Sequence, residues 1–175
     1  MRTAILIAML LGLAPAGQAQ VALNLDHLAK KARESVDINL DANLLTLAGR
    51  FLSAEKPDEA KAKALVSGLK GVYVRSFEFD APGAYTAADV NAISNQFSGP
   101  QWTRVVRHVA GKGKETEEIA SIFIRQEAGK STGIAIVAAE PKQLTVVQIL
   151  GEIDLDKLGD LSGQFGIPKL PKAGK

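Results

Sequence analysis

The sequence predicts an α+β fold, an antiparallel sheet with helices packed on one face. Three observations carry that prediction. Helix-period apolar spacing is concentrated before residue 100 of the 175. Four apolar runs follow Trp102, separated by turns so short that neighbouring strands must run antiparallel. The order of helices early and strands late is that of α+β domains. Aromatic residues make up only 5% of the chain, so the core should be aliphatic.

The chain opens with MRTAILIAMLLGLAPAGQAQ. Arg2 precedes an apolar run from Ala4 to Ala14, and Gly17 and Ala19 occupy the −3 and −1 positions of a cut before Gln20. This is the layout of a secretory signal peptide. The run is shorter than the roughly 20 residues a spanning helix needs. Residues 1–19 are therefore read as a cleaved leader, 20–165 as one α+β domain, and 166–175 as a flexible basic tail. The expected location is periplasmic or secreted.

Asn24 to Arg33 has helical spacing, with Leu25, Leu28, Ala29 and Ala32 on one side and Asn24 as cap. Val36–Leu40 alternates apolar and polar residues, which predicts a strand with Val36, Ile38 and Leu40 buried and Asp37 and Asn39 wet. Asp41 can cap the next helix, whose apolar stripe is Leu44, Leu47, Ala48 and Phe51. Pro57 suits the first position of another, ending at Gly68 or Gly71. Gly71–Asp80 is a strand. Thr86 and Asp89 form a capping box for a helix with Val90, Ile93 and Phe97 on its apolar face. The four later strands are Trp102–Val109, Glu117–Arg125, Thr132–Ala139 and Leu144–Ile153, a meander. The last two are apolar on both faces, so they should be central and covered. Asp156–Leu161 should close the domain as a short helix, with Leu155, Leu158 and Leu161 inward.

Charge and composition exclude several functions. The formal charge is +2, and +1 without Arg2, which gives no electrostatic case for nucleic acid. There is no cysteine, so lipid attachment at a lipobox, disulfides, cysteine-ligated metals and thiol catalysis are all excluded. No second apolar run reaches membrane length, so no transmembrane segment is expected after leader removal.

Each tempting motif has a plainer explanation. Gly129-Lys130-Ser131 resembles the end of a P-loop but lacks the earlier glycine and the following helix, and reads as a hairpin turn. Asp37, Asn39 and Asp41 begin like a calcium loop, yet Ala42 and Ala48 stand where Gly and Glu are required. Glu152, Asp154 and Asp156 alternate at the end of the last strand, an acidic cluster that could hold a proton or a cation, or simply turn into solvent. Trp102, Arg104 and His108 fall on one face of a regular strand, with Arg107 on the other, and form a candidate interaction surface. Lys112, Lys114, Arg125 and Lys130 extend the basic character of these hairpins, which reads chiefly as a solvated sheet edge. No residue set is assigned to catalysis, cofactor binding or metal ligation, and no cofactor is expected.

Val36-Asp37-Ile38-Asn39-Leu40, Lys70-Gly71-Val72-Tyr73-Val74 and Leu150-Gly151-Glu152-Ile153-Asp154-Leu155, with Trp102 opening a strand between the last two, resemble the bacterial envelope family called domain of unknown function 4252. The resemblance spans about Leu25 to Leu161. It implies an extracytoplasmic α+β domain, assigns no catalytic residues, and suggests a part in envelope signalling. The leading expectation is a non-catalytic binding or interaction module whose partner is an envelope protein or small ligand. One alternative is a small hydrolase or metal-dependent enzyme using Glu152, Asp154 and Asp156 or His108. Another is a carrier of an apolar ligand, which needs a dry cavity of roughly 300 Å³.

Overall fold

The computed structural model describes residues 23–111 and 117–153. The predicted leader, Lys112 and Lys114, Asp154 and Asp156, the Asp156–Leu161 helix and the 166–175 tail lie outside the described residues. The chain forms α1 (Asp26–Ala29), β1 (Glu34–Asp41), α2 (Ala42–Arg50), α3 (Pro57–Gly68), β2 (Leu69–Glu78), α4 (Ala87–Asn95), β3 (Trp102–Ala110), β4 (Glu118–Glu127), β5 (Lys130–Glu140) and β6 (Gln143–Gly151). The architecture is α+β, as the sequence predicts. The six strands make one antiparallel sheet in the order β1-β2-β6-β5-β4-β3. The meander β3–β6 closes against β2, which puts the most aliphatic strands, β5 and β6, at the centre.

Local chemistry explains most element ends. The Asp41 carboxylate accepts from the backbone N–H groups of Asn43 and Leu44, both at 2.9 Å, and starts α2. Pro57 opens α3. Thr86 and Asp89 form the capping box of α4. In the β4–β5 turn Ala128 and Gly129 both have positive φ, 49° and 76°, the pattern of a primed hairpin turn. The first helix is shorter than its spacing predicts: α1 is one turn, Leu25 rather than Asn24 precedes it, and no side chain caps it. The Arg33 N–H already bonds to the Glu78 carbonyl at 2.7 Å, so sheet pairing takes the chain where the helix was expected to continue.

Pairing fixes which side chains share a face, because alternate residues of a strand point to opposite sides. One face carries Phe77, Leu144, Val146, Val137, Ala139, Ile119 and Phe123. Leu28 of α1 and Val90, Ile93 and Phe97 (on α4 and just beyond it) pack onto it, and all are buried. Phe97 meets Phe123 and Trp102 at ring centroid distances of 5.5 and 5.3 Å. This is the core.

β6 can seat beside β2 only because of a close backbone approach. A Cβ on Gly151 would stand 2.4 Å from the Gly68 carbonyl oxygen and 2.6 Å from the Leu69 Cα, and the residue has φ of 135°. Only glycine fits there without displacing backbone. Gly151→Ala should therefore destabilise the protein by about 2 kcal/mol or more, read from urea unfolding. Ala128→Asn, in an exposed turn at positive φ, should stabilise it by about 0.5–1 kcal/mol in the same assay. A loss of stability there would contradict the turn geometry.

Candidate interaction surface

The opposite face of the sheet is the most unusual feature of the described residues. Its pairing rows run across all six strands. One row is Thr103, Ile124, Ile134, Ile149, Val72 and Leu40; the next is Val106, Ile122, Ile136, Val147, Val74 and Ile38. A third row, from His108 through Ala120, Ala138, Thr145 and Ser76 to Val36, is small and mostly uncharged. Val36 and Ile38 are 41% and 40% exposed, the central residues are mostly half-buried, and Ile134 is buried at 6%. The hydrophobic core cluster lies wholly on the other side.

Val36 and Ile38 were expected inside, but β1 is an edge strand and its apolar residues point away from the face that α1 and α4 cover. On α2 the predicted inward stripe is also exposed: Leu44, Leu47 and Phe51 are 45%, 48% and 81% exposed, and only Leu45 is buried. For β5 and β6, apolarity on both faces correctly placed them in the centre; the hydrophobic core lies on one face, while on the other Ile134 is buried and Ile136, Val147 and Ile149 are half-buried.

The predicted Trp102, Arg104 and His108 grouping is split. A bulge between Arg104 and Val106 shifts the register, so Trp102, Arg104 and Arg107 share the face of Ser121, Phe123 and Arg125, while His108 lies opposite Ala120 on the aliphatic face. Trp102 is half-buried against Phe97. Arg125 is not solvated as a sheet-edge cation would be: it is 8% exposed, with its Nε and Nη2 donating to Gln101 Oε1 at 3.1 and 2.9 Å and Nη2 to Glu127 at 2.6 Å. Its Nη1 has no partner among the described residues. Glu152 is exposed and pairs with Lys130 at 3.0 Å. His108 and Glu152 lie strands apart, and neither lines either cavity described below.

The other face holds a polar niche beyond the core. Gln148 is 1% exposed, and both its amide atoms are without partners among the described residues. It borders a cavity of about 30 Å³, the room of one or two waters, lined also by Asp37, Asn39, Tyr73 and Arg75. Arg75 pairs with Asp37 at 3.0 Å. The Tyr73 ring lies over Gly71, where a Cβ would come within 2.6 Å of it, so glycine there holds the ring down. Asp37 thus pairs with the Arg75 guanidinium, and Asn39 stands opposite Tyr73 in the strand register. Among the described residues no group of three potential metal ligands converges.

A wider cleft of about 190 Å³ opens at the start of α4, lined by Tyr85, Thr86, Val90, Glu117 and Ile119 among others. It falls short of the volume an apolar carrier needs. The Tyr85 hydroxyl donates to the Glu140 carbonyl, with the Gln143 carbonyl 3.2 Å away. Burial, reinforced by the Glu140 charge, pushes its pKa up to about 12. The Thr86 N–H above all, helped by the Thr86 hydroxyl and His27, holds the Asp89 carboxyl below its usual range against the opposing effect of burial. His27 Nε2 is 3.2 Å from Asp89, which ties α1 to the cap of α4.

Compared with known proteins, residues 30–161 match the family model described as Domain of unknown function (DUF4252). No curated protein matches the chain.

Gln148→Leu keeps the volume and removes two buried atoms that no side chain satisfies, so stability should be unchanged or raised by up to about 2 kcal/mol; a loss beyond about 1 kcal/mol would reveal a partner. Asp89→Asn should cost about 0.5–1 kcal/mol at neutral pH. Because the folded carboxyl is depressed, its contribution is present above the ordinary value of 3.8 and lost as pH falls through the lowered one. The gap between wild type and variant should therefore close below about pH 4, measured by denaturation across pH.

Proposed function

We propose, from the premise that this chain belongs to the DUF4252 family, that it is a non-catalytic extracytoplasmic interaction module that engages a protein partner through the aliphatic face of its sheet. The observation that carries this reading is that face itself: two adjacent rows, all Ile, Val and Leu but for Thr103 at one edge, cross six strands with no charged residue among them. Contiguous apolar patches larger than a few hundred Å² are rare on monomeric soluble proteins and mark contact sites. The stripe Leu44, Leu47 and Phe51 on α2 adds exposed apolar surface just beyond the Leu40 end of β1.

The extracytoplasmic part of the reading rests on the leader-like Met1–Ala19, and a role in envelope signalling on the resemblance to the family. No helix among the described residues is long and apolar enough to cross a membrane. A protein partner accounts for a flat aliphatic surface better than a small ligand does, since small-molecule sites are concave.

Photo-crosslinking in living cells tests the reading. A photoreactive residue at Ile38 or Val74 should yield discrete protein adducts in the extracytoplasmic fraction, on a chain whose first residue is Gln20. The same residue at Lys142, which is exposed in the β5–β6 turn, should yield none. Equal adduct patterns from all three positions would remove the assignment of the face, and a chain retained in the cytoplasm with Met1 intact would remove the export.

A further inference from the structure

We infer that the occupant of the aliphatic face is a second copy of this chain, stacked sheet on sheet about a two-fold axis; the inference rests on the interaction reading above and names its partner. Area is the first argument. Three rows about 6.8 Å apart across six strands about 4.8 Å apart cover roughly 600 Å² in plan. A standard stable interface takes about 800 Å² of accessible surface from each partner, and the three rows approach that extent.

Shape is the second argument. Two sheets pack face to face about 10 Å apart with strands inclined by about 30° when both inner faces are aliphatic. A symmetric pair requires a face that complements itself. Rows of Ile and Val meet this condition, because each copy offers the other the same β-branched ridges.

Charge fixes the direction of the axis. Beyond the small third row comes a fourth, Glu34, Glu78, Gln143 and Glu140, so the acidic side chains are gathered at one end of the face. Arg33 pairs with Glu78 alone of these. An axis parallel to the strands would lay one glutamate row on the other, bringing six carboxylates together. An axis running across the strands sends the two rows to opposite ends of the stack. That axis passes along the middle of the three apolar rows, so Ile136 of each copy meets Ile136 of the other.

Sedimentation equilibrium from low-micromolar to hundreds of micromolar tests this, on the full chain expressed with its leader and purified as the cell processes it. Wild type should be a dimer. Ile136→Glu and Ile136→Lys should each weaken association at least tenfold with unchanged circular dichroism. An equimolar mixture of the two should associate again, because the opposite charges meet on the axis. Ile38→Lys, on the exposed edge strand, serves if the central variants fail to fold, and should also weaken the dimer.

Binding of an apolar dye separates the possible failures. A wild-type monomer that binds the dye, and loses it in Ile38→Lys, overturns the second copy while leaving an open interaction face. A wild-type monomer that binds no dye overturns both. A dimer that survives every substitution places its interface elsewhere and overturns the inference.

Discussion

Strand parity is the constraint on which the rest of this structure depends. In an unbroken antiparallel ladder each strand's odd and even residues are committed to opposite faces, and a shift of one residue exchanges them. Here the commitment is shared by six strands, with β6 held between β5 and β2 by its close approach at Gly151. Once β6 is seated, Val146, Gln148 and Leu150 are assigned to the face carrying the core and Val147 and Ile149 to the other. The core, the polar niche at Gln148 and the aliphatic face are three results of that one alternation.

The two faces are then treated differently. α1 and α4 bring Leu28, Val90, Ile93 and Phe97 to one side and complete a core there, mostly over the β4–β6 part of the sheet. Toward β1 and β2 the same side turns polar, with Asp37, Arg75, Tyr73 and the buried Gln148. The other side is chiefly Ile, Val, Ala and Thr through its first three rows, with Leu40, Ser76 and His108 at or near their ends. A sheet face of that composition is what one half of a β-sandwich presents to the other half.

Most of the architecture was legible in the sequence. Four late strands with short turns gave the meander, and continuous apolar runs in β5 and β6 gave their central place. The Asp41 cap, the Thr86–Asp89 box and Pro57 gave three helix starts. Burial was less legible. Val36 and Ile38, like Leu44 and Leu47, have an amphipathic pattern that says which residues share a face but not whether anything covers it. His108 was misplaced because the bulge after Arg104 leaves no distinctive residue in the sequence, only an extra step in the count. Arg125 lay in a strand whose charge suggested solvent, and only its neighbours Gln101 and Trp102 show it to be buried; Gln148 is buried as its central strand implies, but nothing in the sequence marks it as unpartnered. The aliphatic face itself is visible as apolarity on both sides of β5 and β6, a pattern that does not say what covers the second side.

The absence of cysteine from the chain makes the central claim directly measurable, because one introduced thiol has no background. Ile136→Cys and Val137→Cys are neighbours on β5 that point to opposite faces. The decisive measurement is their maleimide labelling rate in the folded protein as a function of protein concentration. Ile136→Cys should label quickly in dilute solution and become protected as concentration rises, whereas Val137→Cys, in the core, should stay unreactive throughout. Equal rates at the two positions, or an Ile136→Cys that is unreactive even at the lowest concentration, would contradict an open aliphatic face.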